Sequence, residues 1–181
     1  MNYQINTSTI NFLTQWEFKS NKMYFDSSHY PTIGIGHLIK NKNETFMNKK
    51  LMIDILTDHE VDLLLQQDLI INLKVIDTIS HKIKGNLNQN QVDALVLFIF
   101  NEGTIWNGLM NVINSYSNDY TLGETEIRTQ WISYNKSRKK VVAGLINRRQ
   151  GEVDLFFSKY MGRDYYNKAF TNSNGKIINN Y

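Results

Sequence analysis

Cysteine is absent from this chain, which excludes disulfides and thiolate chemistry and suits folding in a reducing cytosol. Long apolar runs are missing as well. The most apolar segment, ALVLFIF at 94–100, is far too short to cross a bilayer, so no membrane span is expected. The opening residues MNYQINTSTINFLTQWEF lack the charged start and continuous apolar stretch of a secretory leader, which implies synthesis in the cytoplasm without a signal peptide. Nor is there a dominant charge. The formal net charge is +3 over 181 residues, and the one dense basic cluster, SRKK at 137–140, reads as a solvated loop. A nucleic-acid binder would gather its cations into a stripe with interleaved aromatics, so no nucleic-acid partner is expected.

Several chemistries are missing by motif. The histidines and acids form no HExxH, Cys/His cluster or calcium loop, and no metal is inferred. Gly34-x-Gly36 lacks the third glycine and the following helix of a dinucleotide loop, and no nucleophile elbow is present. No cofactor is expected.

What remains is an ordinary globular composition, 41% hydrophobic and 20% charged, long enough for one good core or two small lobes. Ile10, Leu13 and Glu17 share one side of an N-terminal helix that Ser8 or Thr9 caps. Glu17 then ends the apolar stripe and points into the protein, and burial of that kind raises a carboxyl pKa. From Tyr24 to Ile39 the period changes to two, the mark of a strand, and the segment 22–39 reads as a small hairpin or meander turning at DSSHYP. The single proline, Pro31, disfavours helix at Tyr30. Gly34 and Gly36 share the face of Thr32 and leave it without bulk, as if to admit something close to the backbone.

TDHE at 57–60 is a capping box, and apolar residues recur from Val61 to Ile83 until Gly85 stops the helix. A helix over about 58–84 would run about 40 Å, long enough to join two lobes, with a break near Asp77–Ser80 as the alternative. Asn88 and Gln91 cap a helix apolar on nearly every side, which marks the core of the second lobe. Further helices are expected at about 106–117, 124–134 and 145–160, and TNSNGKIINNY reads as a loosely held tail.

The chemistry concentrates in EFKSNKMYFDSSHYPTIGIGH, residues 17–37. Two carboxyls flanking a pocket are the minimum for cleaving a glycosidic bond, one protonated to donate and one ionised to activate water. Glu17 on an apolar face and Asp26 in a polar turn are unequal in the required sense, and Thr32 offers a hydroxyl to hold water beside Asp26.

The order E-x8-D-x5-T-I-G-I-G-H resembles the phage-type lysozymes, glycoside hydrolase family 24. LTDHE…LLLQQDL, LNQNQVDALVLFIFNEGT and AGLINRRQGEVDLFF continue the similarity across about 10–160. The resemblance implies an α+β, mostly α fold of two lobes, a small β-hairpin or meander lobe and a helical lobe joined by a long helix. It implies one domain over 1–160: a small lobe at about 17–60, an interlobe helix at about 58–84, and a helical lobe at about 88–160 that also takes in the N-terminal helix. Residues 161–181 would be a polar tail.

It further implies that Glu17 is the general acid and that Asp26 and Thr32 position the attacking water, with inversion. Arg148 would hold Glu17 from the second lobe, and Asn101, on the loop after the core helix, would line the sugar cleft. His37 would pair with Asp68 as a structural ion pair. That pairing has separate support, because Asp68 lies seven residues after Val61 on the apolar face and a buried acid needs a partner. Two positions depart from the family's usual glycines, Phe18 after the acid and His29 in the turn. The implied partner is bacterial peptidoglycan, cut by a monomer at the wall after holin release or export by secretion machinery. The competing expectation is a catalytically weak or inactive glycan-binding protein on the same fold.

Overall fold

Thr7–Trp16 form the first helix, α1, in a computed structural model that describes residues 3–169. Its cap is Asn6, whose side chain accepts from Thr7 N at 3.0 Å, rather than Ser8 or Thr9. Those two lie inside the first turn, where Thr9 is buried and Ser8 donates to Asp93 at 2.7 Å. Glu17 is already past the helix, with extended backbone at φ −98° and ψ 152°, although its N–H still reaches Leu13 O at 2.8 Å. The exit of the chain, not helical periodicity, therefore aims the acid.

The strands begin earlier than the alternation suggests. β1 (Lys19–Phe25), β2 (Pro31–Ile35) and β3 (His37–Leu38) form an antiparallel sheet in that order, with a register irregularity between Ser20 and Tyr24. The DSSHYP turn joins β1 to β2, and His29 takes the left-handed conformation there at φ +62°. A second small hairpin pairs β4 (Thr45–Phe46) with β5 (Lys49–Lys50).

The long helix α2 spans Asp58–Ile79, about 33 Å at 1.5 Å per residue. Its capping box forms as the sequence predicts: Glu60 N donates to Thr57 Oγ1 at 3.2 Å and Thr57 N to Glu60 Oε2 at 2.6 Å. The helix tightens into a 3-10 turn at Ser80–Lys82, so the break wins over one continuous rod to residue 84. α2 packs on both β2 and α3, linking the sheet lobe to the helical lobe.

α3 (Gln89–Glu102) is the core helix, capped by the reciprocal Asn88–Gln91 pair and buried at every residue from Gln91 to Ile99. Each large apolar side chain buried there contributes about 1.5–3 kcal/mol, which is why the other helices gather around it. α4 (Asn107–Ser115), α5 (Glu124–Ile132) and α6 (Ala143–Phe156) follow, and α6 packs on α3 and α5.

Two findings depart from expectation in this lobe. SRKK is not a loop but the turn of a hairpin, β6 (Lys136–Ser137) with β7 (Lys140–Val141), closed by Arg138 and Lys139 at positive φ. A last helix, α7 (Arg163–Ala169), occupies part of the span assigned to the tail and packs on α1 and α6. Its Tyr166 is fully buried and stacks on Tyr160 at 5.6 Å. The segment TNSNGKIINNY lies outside the described residues.

Candidate active site

Gly36 sits in the tight turn between β2 and β3 at φ +74°, a backbone conformation that only glycine adopts without cost. A Cβ built there would lie 3.2 Å from Glu17 Cδ and 3.1 Å from Phe100 Cε1. The space beside this backbone is filled by the acid itself. Gly34 also has positive φ, at +67°, but its missing side chain faces Leu64 and Val61 of α2 at 3.5 and 3.8 Å. The two glycines therefore do not share an open face with Thr32, because the positive φ values break the alternation on which that reading rests.

From α6, Arg148 Nη1 donates to Glu17 Oε1 while its Nε donates to Glu152 Oε1 at 2.9 Å. Glu152 is fully buried and also accepts from Trp131 Nε1 at 3.1 Å and pairs with Arg149 Nη1 at 3.1 Å. Burial works against the charge on Arg148, yet the carboxylates of Glu17 and Glu152 outweigh it and raise its pKa. In Arg149 burial prevails over the pull of Glu152, with the charge of Arg148 adding to the fall, and the pKa drops. Arg148 thus bonds both the acid and its own i+4 partner.

Asn101 lies on the last turn of α3, not on the loop after it, and Gly103 at φ +78° ends the helix. Its Oδ1 accepts from Arg149 Nη2 at 2.5 Å, which ties it to the arginine network while the residue stays exposed.

Asp26 opens the turn after β1, where its Oδ1 accepts from Ser28 N and Tyr30 N, each at 2.8 Å. Thr32 is buried and its hydroxyl donates to Tyr30 O at 3.1 Å. Both groups therefore brace the main chain of Tyr30. With Oδ1 committed to the turn, Oδ2 is the oxygen of Asp26 suited to a water.

Sequence reasoning missed Tyr24. It pairs directly with Thr32 across the sheet and precedes Asp26 by two residues. Burial first, then the charges of Glu17 and Asp26, push its phenol up to about 12. The signal was the period of two along β1. It also missed the reach of the β6–β7 hairpin: Arg138 Nη2 donates to Ser28 O at 2.5 Å and Ser137 Oγ lies 3.1 Å from Ser28 Oγ, so the helical lobe touches the Asp26 turn.

His37 and Asp68 meet as expected, Nδ1 lying 3.0 and 2.9 Å from the two carboxylate oxygens. Nε2 lies 3.3 Å from Glu44, a second acid the pattern did not suggest. Burial lowers the histidine pKa, but Asp68 and then Glu44 more than offset it, and the pKa is raised. Among the described residues no group of three or more His, Cys, Asp or Glu is arranged to hold a metal, and no helix is long and apolar enough to cross a membrane.

The family model described as phage lysozyme matches residues 14–152, from α1 to Glu152 of α6. The chain belongs to the phage lysozyme family. It is 30% identical over 159 residues to an endolysin of Bacillus phage PZA, covering 86% of this chain and 55% of that protein. It is 37% identical over 100 residues to an endolysin of Salmonella phage P22, covering 55% of this chain and 64% of that one. The chain therefore spans less than two thirds of the length of these curated relatives. A crystal structure of a P22 lysozyme point mutant superposes with a TM-score of 0.61 at 28% identity, covering 86% of this chain and 99% of that one. The family match encloses Glu17, Asp26, Thr32, Asn101 and Arg148, and leaves α7 outside.

Proposed function

We propose that this protein is a muramidase that hydrolyses the β-1,4 bond between N-acetylmuramic acid and N-acetylglucosamine in bacterial peptidoglycan. The observation that carries the reading is the bracing of Glu17 by Arg148, together with Tyr24, which pairs with Thr32 across the sheet and whose phenol feels the charges of both Glu17 and Asp26. Glu17 in its protonated form gives its proton to the leaving glycosidic oxygen. A water held by Asp26 Oδ2 and the Thr32 hydroxyl attacks the anomeric carbon from the opposite face and passes its proton to Asp26, which inverts the anomeric configuration. Asn101, tied to Arg149, lines the sugar cleft. His37 and Asp68 support the sheet and take no part in the chemistry. The enzyme works as a monomer, and it reaches the wall through a holin or a secretion machine.

Product analysis on purified peptidoglycan, wild type beside Glu17→Gln, tests this. Reducing muropeptides from the wild type, with a loss of at least about a hundredfold in the variant, are expected of a general acid. Anhydro-muropeptides, which lack one water, would point to a transglycosylase. No product from a folded wild type would leave a glycan-binding protein.

A further inference from the structure

Phe18, the residue after the acid, keeps 66% of its surface exposed. It is not a loose side chain. Its ring meets the ring of Tyr24 edge to face, with centroids 5.1 Å apart and planes at 85°. Tyr24 is half-buried and stands opposite Thr32. The hydroxyl of Tyr24 lies 3.5 Å from Phe18 O, a long and weak bond that also draws the two residues together. An aromatic ring so braced loses little freedom on meeting a ligand, and it follows Glu17 directly in the chain.

We propose that Phe18, propped by Tyr24, is a sugar-stacking residue on which the C–H face of a pyranose next to the scissile bond rests. The claim rests on the muramidase reading and deepens it by naming how one saccharide is held. A pyranose presents one face of C–H groups and a rim of hydroxyls. The partly exposed carboxylates of Glu17 and Asp26 answer the rim, and Phe18 answers the face. The ring meant is one next to the scissile bond, since Phe18 is one residue from the proposed proton donor.

The test uses a tetrasaccharide of alternating N-acetylglucosamine and N-acetylmuramic acid without peptide stems, titrated calorimetrically against Glu17→Gln, which binds without cleaving. Adding Phe18→Ala is expected to weaken binding at least about fivefold. Phe18→Trp is expected to restore it within about twofold. The midpoint of thermal unfolding should stay put in both, because the side chain is mostly in solvent. Unchanged affinity in Phe18→Ala, or a loss as large in Phe18→Trp as in Phe18→Ala, would overturn the proposal. So would failure of Glu17→Gln to bind the saccharide at all. Cleavage of peptidoglycan by the wild type is scored separately, so a protein that binds through Phe18 without cleaving would sink the muramidase reading, and with it the placement beside a scissile bond, while showing that Phe18 stacks on a sugar.

Discussion

Arg148 binds Glu17 across 131 residues of chain and binds Glu152 four residues along its own helix. One guanidinium therefore anchors Glu17, the proposed proton donor, to a fully buried acid of the helical lobe. Replacing it with methionine leaves Glu152 with Trp131 and Arg149 alone, in a place without solvent. Arg148→Met should cost about 3–5 kcal/mol in urea unfolding, the usual penalty for breaking a buried pair. Activity per folded molecule should fall at least about tenfold, because Glu17 loses its orientation.

Asp26 has a structural duty and a proposed catalytic one, which substitution can separate. Asparagine keeps the Oδ1 that accepts from Ser28 N and Tyr30 N, and alanine removes it. Asp26→Asn should stay within about 0.5 kcal/mol of the wild type in stability, and Asp26→Ala should lose about 1–2 kcal/mol. Both should lose at least about a hundredfold in turnover. High activity in a folded Asp26→Asn would remove the carboxylate from the mechanism.

Gly36 and Gly103 carry similar backbone strain if substituted, at φ +74° and +78°, but differ in what surrounds them. A Cβ at Gly103 meets nothing within 4 Å, so Gly103→Ala should cost about 1–2 kcal/mol and leave activity per folded molecule unchanged. Gly36→Ala carries the same strain and pushes Glu17 and Phe100 as well. Its activity should collapse while a folded fraction persists, measured by turnover normalised to near-ultraviolet dichroism.

Two groups set opposite pH windows. The pKa of His37 is raised above its ordinary 6.5, so its ion pair contributes fully below that value and fades as pH rises through the higher folded one. Asp68→Asn should therefore lose about 2 kcal/mol relative to wild type at about pH 5.5 and progressively less in alkaline buffer. Glu60 moves the other way. The Lys49 ammonium first, then the Thr57 N–H, hold it down to about 2, so its contribution is present above its ordinary 4.5 and is lost as pH falls through about 2. Glu60→Gln should flatten the acid limb of the stability profile and leave the alkaline limb alone.

The features read correctly from sequence are those whose partners sit within a helical turn. Thr57 with Glu60 and Asn88 with Gln91 are three residues apart, and both capping boxes form. The unbroken apolar run of α3 announced a helix buried on all sides because no face of it was left for water. The family pattern brought Glu17, Arg148, His37 and Asp68 to attention, and the fold unites them in two ion pairs.

Elsewhere the partner was distant or the backbone was unusual. Asn6 outcompeted Ser8 and Thr9 as a cap because Ser8 was taken by Asp93, 85 residues away. SRKK became a hairpin by two residues adopting positive φ, and α7 became a helix by burying Tyr166 against α1 and α6. Gly34 turned toward α2 for the same backbone reason.

Sequence alone determined the long and core helices, the two capping boxes and the residue types needed to cleave a glycosidic bond, since these depend on short spacings and side-chain chemistry. Only the tertiary structure decided where those groups point. The hairpin brought Tyr24 under the charge of two acids and Phe18 against it, and Arg148 reached Glu17 because segments 131 residues apart packed around one core, a contact that short spacings in the chain do not announce.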